Sequence, residues 1–255
     1  MFVKFCGCIL LMAAAQIGHA QSVRVCNAEL RPAMQPYYRQ ALRSFRKPAC
    51  SVTSTGRADG YLGAILRFEG RQPIIECDTE ASCANEHIIS HEVLHLWLYT
   101  RGFEPHQRYN FPLCPGMPPT RETWTEISNL VDYFQHRVIF PIEIKVGFDT
   151  SDMMQAAIQA TQQNAAIALQ QQRPALYPLD GAQFLLNLRL RAPSLVPQYE
   201  DWLRSQHFDE VISLADTIEE IAGRIRPVTT QTAQAALNEI FQRACSGKID
   251  YSRQL

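Results

Sequence analysis

The chain has 255 residues, 46% of them hydrophobic and 19% charged, with 24 Lys and Arg set against 25 Asp and Glu for a formal net charge of −1. A balance this close to neutral provides no electrostatic footprint for nucleic acid or for an anionic membrane surface. The length and apolar fraction suit one large domain or two modest ones with a sizeable core.

Residues 1–20 read as a signal peptide, with Lys4, an apolar run from Ile9 to Ala15, and small residues at Gly18 and Ala20 ahead of a cleavage near Gln21. The run is too short to span a bilayer and no later segment approaches about 18 uninterrupted apolar residues. The expectation is a secreted or periplasmic protein with no stable membrane anchor after cleavage. Cys6 and Cys8 leave with the leader, and Cys26, Cys50, Cys77, Cys83, Cys114 and Cys245 remain. An even number in an oxidising compartment suits disulfides. Spacing suggests Cys26 with Cys50 and Cys77 with Cys83, which leaves Cys114 with Cys245. A four-cysteine metal site is the rival reading, although no C-x-x-C pair is present after the leader.

Asn27 to Lys47 predicts a helix, because Met34, Tyr37, Tyr38, Ala41, Leu42 and Phe45 recur at i, i+3, i+4, i+7, i+8 and i+11. Arg39, Arg43, Arg46 and Lys47 form its solvated side, and Pro48 ends it. From Ser51 to Asp78 strand formers are punctuated by glycine, and Tyr61 to Phe68 and Pro73 to Cys77 are the predicted strands of a small antiparallel sheet.

A helix beginning near Ser82 or Ala84 and stopping before Gly102 carries Ile88-Ile-Ser-His91-Glu92-Val-Leu-His95-Leu-Trp97, which contains H-E-x-x-H. Four residues advance a helix by about 400° and roughly 6 Å, so His91 and His95 project from one face on successive turns and can grip one ion. Glu92 lies roughly 100° round from His91, too far to join the ligands comfortably and near enough to take a proton from a water at the ion. The uncharged Val93, Leu94, Leu96 and Trp97 fit a helix buried in a core. His87, one turn earlier, is about 12 Å of helix rise from His95, and reads as an outer partner or a structural residue.

On these residues the sequence resembles the zincin metallopeptidases, whose H-E-x-x-H helix supplies two zinc ligands and the general base. The specific part of the resemblance covers the stretch around the motif. It implies an α+β, predominantly helical fold, in which a zincin-like core with a small antiparallel sheet packs on the active-site helix and an all-helical C-terminal lobe forms the far wall of the cleft. In zincins the strand preceding that helix lines the cleft and pairs with extended substrate, so Tyr61 to Phe68 or Pro73 to Cys77 is the candidate edge. No Gly and His follow His95 at the metzincin spacing, since positions 98 and 101 are Leu and Arg. The glutamate-zincin group instead takes its third ligand from a second helix downstream. Here that helix is predicted over about Pro119 to Ile139, closed by Phe140-Pro141, with Glu126 as the choice for the third ligand and Glu122, then His106 in the preceding loop, as reserves. Asp132 is the candidate carboxylate behind a ligating histidine. The match loosens at Leu130, where thermolysin-like members place an Asp.

Gly147, Asp149, Thr150 and Ser151 mark a boundary before a long helix starting near Asp152, with Met154, Ile158, Ala165 and Ala168 as its inner stripe and Pro174 beyond its end. Further helices are predicted at about Gly181 to Leu190, Val196 to Gln206, Phe208 to Ile225 and Thr230 to Cys245. The organisation expected is therefore a leader (1–20), a catalytic region (21–148) and a helical lobe (149–255). The expected function is that of an exported zinc-dependent peptidase acting on protein or peptide, with Glu92 as base. The alternative is a non-catalytic binding protein on the same scaffold with structural metal or none.

Overall fold

The computed structural model describes residues 22–53, 63–103, 121–171 and 178–243, with the backbone alone at 121–129 and 241. Among these, β1 (Val23–Val25) and β2 (Ala28–Leu30) form an antiparallel hairpin that pairs Val23 with Leu30. The predicted helix over 27–47 shrinks accordingly to α1 (Gln35–Ala41). Val25, Ala28 and Leu30 are buried on the inner face of the hairpin, and that burial claims residues whose helical spacing extended no further back than Met34.

A second sheet has the order β3-β5-β4, from β3 (Ala49–Val52), β4 (Ala64–Glu69) and β5 (Gln72–Cys77). It is mixed where an antiparallel sheet was expected, because β3 runs parallel to β5 while β4 turns back on β5 antiparallel. β5 is the centre and β3 and β4 are the two edges, so of the two candidate strands only the first, Tyr61 to Phe68, contains a strand (β4) at an edge of the sheet. Disulfides join Cys26 to Cys50 and Cys77 to Cys83, as their spacing suggested. The first ties the hairpin to β3 and the second ties the end of β5 to α2 (Glu80–Ala84). Cys114 and Cys245 lie outside the described residues.

Asn85 separates α2 from α3 (Glu86–Tyr99), accepting hydrogen bonds at its side-chain oxygen from the main-chain N–H groups of His87 and Ile88. This N-cap fixes where α3 starts and therefore the angular position of His91 and His95. Gly102 follows the helix at φ +101°, a conformation that suits glycine, and its carbonyl accepts from Thr230 N–H at the start of α9 (Thr230–Arg243).

α4 (Arg121–Lys145) does not stop at Phe140-Pro141 but passes through the proline. An internal proline costs about 3 kcal/mol. Ile139 and Phe140 are fully buried, each contributing about 1.5–3 kcal/mol, and Glu143 joins a buried ion-pair cluster one turn further on. Packing thus outweighs the local penalty.

The remaining helices, α5 (Ser151–Gln170), α6 (Pro178–Arg191), α7 (Val196–Ser205) and α8 (Asp209–Gly223) with α9, fall where periodicity put them. Two hydrophobic clusters result. One joins the hairpin, β4, β5, Ile89, Val93 and Leu94 of α3, and Ile139 and Phe140 of α4. The other joins Leu98 and the earlier part of α4 to α6, α8 and α9. Both α3 and α4 contribute to each cluster, so the polar residues between them lie at the seam. The fold is α+β and mostly helical, and no helix among the described residues is long and apolar enough to cross a membrane.

Candidate metal centre

His91 and His95 point the same way from α3, as their spacing requires, and their Nε2 atoms are 3.0 Å apart. His91 Nδ1 is 2.8 Å from Glu143 Oε1 and His95 Nδ1 is 2.7 Å from Gln135 Oε1. A carboxylate and an amide oxygen both accept, so each Nδ1 carries its proton and donates it. Each Nε2 then presents a lone pair, and the two lone pairs face each other. Burial lowers the affinity of all these rings for a second proton, pulling His91 down and His95 to about 3. Two acceptors held in contact and reluctant to protonate form a place for a metal ion.

The third donor comes from α4. His136 brings a ring nitrogen within 4.8 Å of the ligand atoms of both His91 and His95. Its ring stacks on Phe140 at 4.3 Å between centroids, and its Nδ1 is buried without a hydrogen-bond partner. Burial, then the neighbouring His91 and His95, holds its pKa well below the ordinary histidine value. His91, His95 and His136 are thus a group that could hold a metal ion, and three neutral imidazoles, the last with an unpartnered buried Nδ1, fit a divalent borderline metal.

The expected third ligand, Glu126, lies on α4 ten residues before His136, as does Glu122 further back, and their side chains are outside the described residues. Ten residues of helix rise about 15 Å, so Glu126 and His136 cannot share an ion. His106 also lies outside the described residues. His136 escaped the sequence reading because glutamate was sought at the family's spacing. The signal that could have found it was the i, i+3, i+4, i+7, i+8, i+11 series Asp132, Gln135, His136, Ile139, Phe140 and Glu143, hidden by treating Pro141 as a stop.

The carboxylate behind a ligand histidine is Glu143, a role expected for Asp132. Glu143 is buried and meets His91, His87 at 3.4 Å, and Arg191 of α6 at 3.3 Å. Burial pushes its pKa up, but His91, His87 and Arg191 outweigh that and hold it ionised, well below the carboxylate range. His87 therefore sits behind the centre, stacked on Phe148 at 4.4 Å between centroids. Asp132 makes no hydrogen bond or ion pair among the described residues, and although the residue as a whole keeps exposed surface, burial around its carboxyl pushes the pKa up to about 7.

Glu92 is 4% exposed and accepts a hydrogen bond from the main-chain N–H of Leu66 on the edge strand. Burial, then the charge of Asp132, pushes its pKa well above the ordinary value, while the Leu66 N–H pulls the other way. A dication held by the three imidazoles would favour its charged form.

Three imidazoles from two helices, each of the α3 pair oriented from behind, and a buried carboxylate alongside define a candidate mononuclear metal centre in a mostly helical α+β protein. Comparison of the chain with protein-family models, with curated proteins and with solved structures finds no match.

Proposed function

We propose that the chain is an exported zinc peptidase in which His91, His95 and His136 hold the metal and Glu92 handles the proton of the attacking water. His91, His95 and His136 would hold the zinc, which would supply Lewis acidity and bring the pKa of a water in the site to about 7. Glu143 and Gln135 keep the α3 imidazoles in the tautomer that presents Nε2, so no proton has to leave before metal enters. Glu92, steered by the Leu66 N–H, takes the proton of the water and returns it to the leaving amine. β4 has no strand on its outer side among the described residues, and an extended peptide laid there would pass the carboxylate with its main chain hydrogen-bonded. Two disulfides support export, since such bonds persist in oxidising compartments.

The observation that carries this reading is the pair of Nε2 atoms 3.0 Å apart with both Nδ1 atoms committed elsewhere. A structural metal in a binding protein would need a fourth protein donor. Among the described residues the cluster has three, and His87 is engaged by Glu143. The test is metal analysis of the purified protein with chelator-sensitive cleavage of a denatured protein substrate. Glu92→Gln should keep the metal and lose about 10²-fold or more in turnover. Metal without cleavage in the wild type would favour the binding protein, and near wild-type turnover in Glu92→Gln would remove Glu92 from the chemistry.

A further inference from the structure

His91 and His95 each have an oxygen acceptor behind them, Glu143 and Gln135, whereas the Nδ1 of His136 is buried with no hydrogen-bond partner among the described residues. A buried polar atom left in that state calls for an explanation, and a second orphan supplies one. Asn187 of α6 has its side-chain Oδ1 buried, also without a partner among the described residues. The ring lacks an acceptor and the amide lacks a donor.

The neighbour of Asn187 one turn further along α6 shows where that face lies. Arg191 meets Glu143 at 3.3 Å and sits over the Phe140 ring, 3.7 Å from its centroid, and Phe140 stacks on His136 at 4.3 Å between centroids. Asn187 precedes Arg191 by four residues and His136 precedes Phe140 by four, so both polar groups lie on the stripes that α6 and α4 turn to each other. The Asn187 amide is near enough to push the pKa of His136 up, against the burial that lowers it. The contact is looser than an ordinary hydrogen bond.

The geometry points to Asn187 as the positioning residue of His136: its Oδ1 accepts the proton of the ring nitrogen turned away from the metal, fixes the tautomer, and leaves the lone pair of the other nitrogen for the ion. All three imidazoles are then oriented by an oxygen acceptor. α6, which supplies no ligand, enters the centre directly through Asn187 and by way of Glu143 through Arg191. The inference rests on the metal-centre part of the reading above and not on peptidase activity.

The test reads the zinc affinity of the full-length protein by competition with a chelator, so that hydrolysis does not enter. Asn187→Leu, which keeps a branched side chain and removes the acceptor, should weaken zinc binding about 10–100-fold, and Asn187→Asp, which keeps an acceptor oxygen in place, should bind within about threefold of wild type or more tightly. In a His136→Ala background the same Asn187→Leu change should alter zinc affinity less than about twofold, because the ring it orients is gone, whereas a residue that merely supports α6 would weaken both backgrounds alike. If Asn187→Leu does not fold, the metal-free wild type decides: nitrogen NMR should find the His136 ring in a single tautomer, and an even mixture of the two overturns the assignment. Zinc binding by Asn187→Leu within about twofold of wild type, or an equal loss with and without His136, overturns it as well and leaves the metal centre standing. A wild type that binds no zinc would sink the metal centre and this assignment with it.

Discussion

Replacing Glu143 by Ala probes the centre from behind without touching any ligand. The side chains of Glu143 and Arg191 are 1% and 2% exposed, and the variant leaves the guanidinium buried without this carboxylate. Breaking a buried pair by removing one partner costs about 3–5 kcal/mol. The Arg191 guanidinium keeps its place over the Phe140 ring, 3.7 Å from the centroid, so the lower end applies, about 3 kcal/mol. For a chain of this size that is a fall of about 6–12 °C in the melting temperature of the metal-free protein. His91 also loses the acceptor that fixes its tautomer, and zinc affinity should drop about 10–100-fold. Glu143→Gln separates the two effects, because its amide oxygen can still accept from His91 Nδ1 while the charge facing Arg191 is gone. Thermal melts without metal and competition titration with a zinc chelator read both quantities. An alanine variant melting within about 2 °C of wild type and binding zinc within about twofold would refute the reasoning.

The third ligand is decided by a pair of variants: His136→Ala should lower zinc affinity by several orders of magnitude and Glu126→Ala should leave it unchanged, and the reverse result would restore the glutamate. The pH dependence of the metal-free protein has a definite sign. His91, His95 and His136 all have lowered pKa values, so their contribution to stability is present above the unfolded value near 6.5 and is lost as pH falls toward about 3 for His95. Glu92, raised well above 4.5, and Asp132, raised from 3.8 to about 7, act oppositely, their contributions being present below the unfolded values and lost as pH rises. Metal-free protein with both Glu92→Gln and Asp132→Asn should therefore melt progressively lower from pH 7 to pH 5, and a flat or rising profile would contradict the burial of these rings. Removing the Cys26–Cys50 bond, with a separation of 24 residues, should cost more than removing Cys77–Cys83, with a separation of 6: about 3.5 against about 2.4 kcal/mol from loop closure. Melts of the two double-serine variants check the order.

What the sequence by itself determined was local. The i, i+4 spacing of His91 and His95 on an uncharged helix is sufficient to aim both rings at one point, because a helix repeats its direction every turn. The C-terminal helices announced themselves by apolar period, and the near cysteine pairs by separation. Tertiary structure decided the rest. The hairpin over 23–30 took residues 27–30 from the predicted helix, ahead of the apolar pattern that begins at Met34, because burial of Val25, Ala28 and Leu30 depends on partners distant in the chain. The course of α4 beyond Pro141 was set by Phe140 and Glu143 finding His136, His91 and Arg191, and no local rule weighs a proline against contacts from two other helices. His136 became a candidate ligand by the same route. A single imidazole on a helix has no signature of its own, and only the packing of α4 on α3 brings its ring nitrogen within 4.8 Å of those of His91 and His95.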